Sequence, residues 1–373
     1  MLIKNARAYI GHRFVSGTDV RIADGVVQAV GSLPLEEGET LLDAEDRYLI
    51  PGFVDVHIHA VEGHDTMRGE ADVRAMARTL RTYGVAAFLP TTMSATVAET
   101  RAAVEAVARV MAAPDPDGSL IPGVHMEAPF LAESKCGAQR KECFMDPSME
   151  ALEQLTGGHT DIVRVMTMAP ERSGSEAFIR AATEKGIVIS LGHTAAGDAL
   201  VHESGDWGAN HITHTFNAQT ALHHREPGVP GAALVDDRFF CEMICDGLHL
   251  HPDIIRLIVR CKTPGKAVMI TDAMEAAGMP DGMYSLGGQP VTVHSPEARL
   301  ADGTIAGSVL TMPLALKNMI LRFGFRPEDA VQMCTQTPAD SIHEPLLGHI
   351  APGSPVPLTL WSGDWTEMRV LDA

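Results

Sequence analysis

The chain has 373 residues, 45% of them hydrophobic and 21% charged, with a formal net charge of −19. That length and composition suit one large or two ordinary folded units, and the negative balance argues against nucleic acid and anionic membranes as partners. No apolar run approaches the roughly 18 residues of a membrane span, the start MLIKNARAYIGHRF lacks a secretory leader's apolar core, and six Cys without a C-x-x-C pair read as reduced thiols, so a cytoplasmic protein is expected.

Up to about residue 50, short strand-like bursts (LIKNARAYI, DVRIADGVVQAV, TLLDAEDRYLI) are broken by turns such as Asp24-Gly25, which predicts a small β unit. At Pro51 the rhythm changes. Short apolar runs alternate with helical patterns such as DVRAMARTLRTYG, and eight strands are expected at 53–59, 85–91, 121–127, 161–168, 187–193, 211–216, 238–245 and 266–272. Strands alternating with helices pair in parallel, and eight such units predict a (β/α)8 TIM barrel over residues 51–344. A doubly wound open sheet has the same rhythm, but no glycine-rich phosphate fingerprint follows the first strand. Residues 281–305 read as a β insertion. The tail, with PVPLTLWSG and EMRVL, reads as strands returning to the N-terminal ones. The expected fold is α/β: the barrel, beside a small β-sandwich domain formed by both chain ends, residues 1–50 and 345–373.

In such a barrel the reactive groups sit at the C-terminal ends of the strands. The first strand ends in His57-Ile58-His59, whose alternate side chains point the same way, about 7 Å apart along the backbone. The third ends in His125-Met126-Glu127, the fifth in Leu191-Gly192-His193, the sixth carries His211 and His214, and the eighth ends in Thr271-Asp272. A single strand-end His is more often a hydrogen-bonded core group, Asp272 alone suits a helix cap, and Glu127 alone suits a rim ion pair. Converging on one rim, the imidazoles and carboxylates suit a borderline cation such as Zn²⁺ or Fe²⁺ that takes N and O ligands and keeps a position open. Such a site implies hydrolysis of an acyl bond, with Asp272 as the group that accepts a proton from water and returns it to the leaving group. No G-x-S-x-G is present to suggest a serine nucleophile.

With these residues in place, the chain resembles the amidohydrolase superfamily and, within it, the N-acetylglucosamine-6-phosphate deacetylase family. The resemblance is carried by PGFVDVHIHA (51–60), HMEAPF (125–130), GAQRKE (137–142), LGHTAA (191–196), THTFNAQTALHHREPG (213–228), DGLHL (246–250), TDAMEAAGMPDG (271–282) and IAGSVLTM (305–312). It implies a metal-dependent deacetylase of a small phosphorylated amino sugar, acting as a homodimer. Glu127, His193 and His214 would hold a principal metal. His57 and His59 would hold a second where two divalent ions are bound, with Glu127 bridging and Asp272 contributing. Substrate contacts would map onto Ala138, Gln139, Asn217, Ala218, Arg225, His249 and Ile305. Arg225 and His249 are also the donors a phosphate needs in an otherwise acidic chain. Ala128 stands where the family has Gly, and Gln139 where many members have a His that touches the acyl group. His64, His223 and His224 are candidates for outer-shell or substrate-loop roles.

Three alternatives stay open at this stage. One is deacetylation of the epimeric N-acetylgalactosamine 6-phosphate. Another is a cyclic-amide hydrolase of the same superfamily, although the fourth strand, DIVRVMTM, offers no Lys for the carboxylated bridge such enzymes use. The third is a non-catalytic barrel scaffold.

Overall fold

The structure, a computed structural model, describes residues 1–372. Eight parallel strands follow one another around the barrel in chain order: Phe53–Ile58, Val85–Thr92, Val124–Met126, Val163–Met168, Val188–Leu191, His211–Ile212, Phe240–Ile244 and Ala267–Ile270. Their sequences are apolar on both faces because one face fills the barrel and the other packs against helices. Every residue of VAAFLPTT in the second strand is buried. The helices supply the complementary stripe. In Glu70–Thr82 the buried residues are Val73, Met76, Ala77 and Leu80, the i, i+3, i+4, i+7 pattern of one helix face. Helix Val97–Ala112 starts at a reciprocal Thr96/Glu99 capping box.

All eight expected strands are present, and the third and sixth fall furthest short of their expected ranges. The third begins only at Val124 because Ile121-Pro122-Gly123 precedes it, and Pro122 has no N–H for the ladder. The sixth stops at Ile212, since His214 adopts a left-handed φ of 27° that no strand can continue through.

The seam between first and last strand is closed at the rim. There the Asp272 N–H donates to the His57 carbonyl at 2.8 Å, and the His59 N–H to the Ala273 carbonyl at 3.0 Å. Below them Thr271 Oγ1 donates to Asp55 Oδ2 at 2.6 Å. Ring closure therefore sets Asp272 against His57 and His59.

Both chain ends meet in the β-sandwich, whose seven strands join in one hydrogen-bonded sheet; Leu358–Trp361 runs antiparallel to Tyr48–Pro51 and to Met368–Leu371. Its interior combines Ile3, Val20, Ile22 and Leu49 with Val356, Leu358 and Leu371, so neither end buries its apolar face alone. A three-stranded antiparallel sheet, Gly282–Leu286, Gln289–His294 and Glu297–Arg299, stands over the barrel mouth on a core of Met93, Met274, Leu286, Val291 and Val293. Gln289 Nε2 ties it to the Ala138 carbonyl at 2.6 Å. No helix among the described residues is long and apolar enough to cross a membrane.

Candidate metal centre and active site

Three of the expected ligands reach the barrel mouth by the same backbone device. His193, His214 and Asp272 each lie two residues beyond the end of their strand, at Leu191, Ile212 and Ile270, with φ of 46°, 27° and 49°. Left-handed backbone is disfavoured for residues with a Cβ and persists where surrounding structure imposes it. Here the turn redirects each side chain from the strand line inward, over the barrel axis. His57 and His59 need no such turn, because alternation along the first strand and its extension already aims both inward.

The six side chains converge. Glu127 lies at the centre: its Oε1 is 3.2 Å from His193 Nε2, 3.1 Å from His214 Nε2 and 3.3 Å from His57 Nε2. Its Oε2 is 3.2 Å from His59 Nε2. Asp272 Oδ1 lies 3.2 Å from His59 Nε2 and 3.5 Å from His57 Nε2. His193 and His214 bring their Nε2 atoms to 3.0 Å of each other. Ligands bonded at 2.0–2.1 Å around a tetrahedral ion are spaced about 3.3 Å apart, so these separations are those of a coordination polyhedron.

Tautomers give an independent test of whether a cation fits. His59 Nδ1 lies 3.2 Å from the Thr91 carbonyl and His193 Nδ1 lies 2.8 Å from the Lys135 carbonyl. A carbonyl only accepts, so both Nδ1 atoms carry the hydrogen. His57 Nδ1, 3.0 Å from Glu242 Oε2, likewise donates to a carboxylate. In the neutral rings all three Nε2 atoms are then bare lone pairs aimed at the negative oxygens of Glu127 and Asp272. Lone pairs facing carboxylates at 3.2–3.5 Å repel one another unless positive charge lies between them. The donor set fits one or two divalent cations, in the groups His57–His59–Glu127 and Glu127–His193–His214.

The same field appears in the proton affinities. Burial pushes the His57 and His59 imidazolium forms down. Asp272, Glu242 and Glu127 outweigh that and hold His57 well above its ordinary value, while hydrogen bonds to Asp272 and Glu127 bring His59 to about 9. Burial opposes ionisation of Asp272 too, yet His57 and His59 keep it at about 2. The site draws positive charge and keeps its acids ionised.

A cavity of about 410 Å³ opens over these groups. Its wall includes Ala138, Gln139, Asn217, Ala218, His249 and Ile305, as expected, together with Lys135 and Leu286. Arg225 does not line this cavity. It lies exposed in the loop after Thr220, its N–H directed to His223 Nδ1 at 3.4 Å. The side chains of His223 and His224 are exposed beside it, and His64 pairs with Asp72 at 3.6 Å and does not line the cavity. Gln139 accepts from the Ser94 N–H at 2.7 Å, which fixes its amide so that Nε2 donates to Glu127 Oε2 at 2.5 Å. The amide thus serves the central carboxylate. His249 donates from Nδ1 to Asp246 Oδ2 at 2.6 Å. Burial lowers the proton affinity of this imidazole, but the Asp246 hydrogen bond and charge raise it above the ordinary value, which keeps an N–H on Nε2 for an anion.

Sequence reasoning missed Glu242, Asp55 and Thr91. Glu242 and Asp55 carry a readable signal: a lone acid within the apolar runs FFCEMIC and GFVDVHI has to be paired inside. His125, beside Glu127 in sequence, turns into the barrel. It lies with His57 and Glu242 in a third cluster of possible donors, but both its nitrogens are taken, by the Val56 carbonyl at 3.0 Å and Thr167 Oγ1 at 2.7 Å, which leaves no lone pair for an ion.

Comparison with known proteins agrees with this geometry. Residues 48–371 match the amidohydrolase family model. The chain is 37% identical to an N-acetylgalactosamine-6-phosphate deacetylase of Escherichia coli O157:H7, over 90% of this chain and 88% of that protein. It is 35% identical to an N-acetylglucosamine-6-phosphate deacetylase of Bacillus subtilis (strain 168), over 86% and 82%. Among solved structures, a mutant N-acetyl-D-glucosamine-6-phosphate deacetylase from Mycobacterium smegmatis, in complex with N-acetyl-D-glucosamine-6-phosphate, superposes with a TM-score of 0.90 at 32% identity, covering 98% of this chain and 96% of that one. The match to the family model spans the whole barrel and the returning strands, and the chain belongs to the amidohydrolase family.

Proposed function

We propose that the protein hydrolyses the acetamide of N-acetylglucosamine 6-phosphate, giving glucosamine 6-phosphate and acetate. The observation that carries the reading is the set of three imidazole Nε2 atoms, each with Nδ1 already committed, turned on the carboxylates of Glu127 and Asp272 at the floor of the cavity. His57, His59, Glu127, His193, His214 and Asp272 are the residues that would hold one or two divalent cations, Zn²⁺ or Fe²⁺ by donor type. When bound, such an ion supplies a water of lowered pKa and an electrophile for the acyl oxygen.

The rest falls to the chain. Asp272, ionised at the cavity floor, takes a proton from the attacking water. As the C–N bond breaks, it returns that proton to the departing amine, which would otherwise leave as an unstable anion. His249, Asn217, the Ala218 backbone and Arg225 are assigned to the phosphate, and Ala138, Gln139 and Ile305 to the sugar and its acetamide. For Arg225 this requires the exposed loop carrying it to fold toward the cavity. On the family resemblance the protein is taken as a homodimer; on its composition and strand rhythm it is taken as cytoplasmic, with residues 51–344 as the catalytic unit and both chain ends as its companion. Sedimentation would test the dimer.

The Escherichia coli relative is named for the galacto epimer, so the sugar is tested directly. Acetate release should be assayed with both N-acetylhexosamine 6-phosphates and with free N-acetylglucosamine, after chelation and after reloading with Zn²⁺ or Fe²⁺. The proposal requires activity that returns with the ion and a higher kcat/KM for the phosphorylated gluco sugar. Faster turnover of the unphosphorylated sugar would overturn the phosphate assignments, and a galacto preference would reassign the substrate.

A further inference from the structure

Beneath the six candidate ligands lies a carboxylate that the proposed reaction does not use. Glu242 sits in the seventh barrel strand, fully buried, and its ion-pair partners among the described residues are two histidines. An ionised acid in such a place is costly unless it is well paired and hydrogen-bonded. Its oxygens show the pairing. Oε2 accepts from His57 Nδ1–H at 3.0 Å and from the His214 backbone N–H at 2.9 Å. Oε1 has no hydrogen-bond partner, and His211 Nε2 lies 3.5 Å away.

The other candidate ligands are oriented differently. His59 and His193 give their Nδ1–H to backbone carbonyls of Thr91 and Lys135, which are neutral acceptors. His57 alone has a carboxylate behind it. A carboxylate at Nδ1 fixes the proton there, keeps the Nε2 lone pair free, and makes that lone pair a stronger donor to a cation than a carbonyl would. The same Oε2 grips the backbone of His214, which belongs to the other ligand group and stands in left-handed backbone. One buried oxygen therefore sets the position of a residue in each half of the site.

We infer that Glu242 is a positioning residue for the His57–His59 cation subsite: it holds His57 as the Nδ1–H tautomer, raises the basicity of its Nε2, and fixes the spacing of that subsite from the His193–His214 one. This rests on the reading of the six residues as cation ligands.

The test uses the full chain, stripped by chelator and titrated with Co²⁺, following visible d–d absorption and the cobalt retained per chain. A His59→Asn variant, in which Glu242 is untouched, identifies the binding event of the His57–His59 subsite as the one it loses. In Glu242→Gln the amide oxygen can replace Oε2 toward both His57 and His214 while the NH₂ faces His211, so shape is kept and charge removed. That variant should weaken the identified event about tenfold and leave the other within twofold. Glu242→Met, which removes the acceptor, should weaken it about a hundredfold, to one cobalt retained per chain. The inference falls if Glu242→Gln binds both ions as the unaltered chain does, or if both events weaken equally, as general loosening of the barrel would cause. Should Glu242→Met fail to fold, Glu242→Gln still decides. A wild-type chain that takes up no cobalt would instead sink the metal-centre reading, so the two failures are told apart.

Discussion

Replacing Asp272 by Asn separates proton transfer from the rest of the site. The substitution is nearly isosteric, and the bonds that hold residue 272 are made by its backbone: its N–H to the His57 carbonyl and its carbonyl from the Ser308 N–H, both at 2.8 Å. Asn also tolerates the φ of 49° better than most residues. The amide oxygen can keep the place of Oδ1 near His57 and His59, but an amide cannot take a proton from water at neutral pH. A positioned general base and acid contributes a factor of about 10²–10⁴, or about 2.7–5.4 kcal/mol of barrier. The expected result is a kcat lower by that factor with KM changed less than severalfold. Cation content of the Glu127–His193–His214 group should be unchanged, because none of those three atoms contacts Asp272 in the ligand geometry. Steady-state kinetics on N-acetylglucosamine 6-phosphate, paired with elemental analysis of the same preparation, reads both quantities. A kcat within tenfold of wild type would refute the proton-transfer role. Loss of cation in proportion to loss of activity would show that Asp272 acts only by ligation.

Further expectations concern the surroundings. Gly192→Ala would set a methyl 2.6 Å from Thr213 Cβ and 2.9 Å from Thr167 Cγ2, inside the barrel and next to His193. It should cost about 1–3 kcal/mol of stability and lower cation affinity together with it, as denaturant titration and cobalt binding would show. The His249 cation is present below its raised pKa and lost above it, so KM for the phosphorylated sugar should climb as pH rises through that raised value. In His249→Asn that rise should vanish, with KM higher by about tenfold, the equivalent of ~1.4 kcal/mol; an unchanged pH profile would exclude His249 from the phosphate. Arg225→Ala should raise KM for the phosphorylated sugar and leave the free sugar's unaffected, measured side by side. Chelation should lower thermal stability, because an ion at a hundred times its Kd stabilises the folded chain by about 2.7 kcal/mol; equal melting curves with and without chelator would contradict the tautomer argument.

Much of this was legible in sequence because barrels convert order along the chain into position on a rim. Strand ends such as VDVHIH and MITDA announce themselves by a polar residue following a buried run, and the parallel fold gathers such ends on one face. The strand lengths were less legible. Pro122 shortens the third strand and His214 the sixth, and the second effect depends on a backbone angle that a histidine does not advertise, since glycine is the residue that signals positive φ. The loop after Thr220 shows a different limit. HHREPG is recognisable as a motif, yet whether Arg225 faces the cavity is decided by how that loop lies, and in this structure it lies outside the wall.

Glu242 and Asp55 show why an inner layer is harder to read than a rim. Each is an isolated acid within an apolar strand, and sequence gives no hint of its partner because the partner lies far off in the chain: His57 for Glu242, 185 positions away, and Thr271 for Asp55, 216 positions away. Both long-range pairs converge on the same element, the first strand. Its residue 55 is tied to the eighth strand and its residue 57 to the seventh, while its carbonyl at 57 receives the Asp272 N–H. The closure of the ring and the orientation of the reactive groups therefore share hydrogen bonds. A change that loosens the seam should be felt as a misplaced Asp272 before it is felt as unfolding, since the apolar core extends well beyond the few polar contacts at the seam.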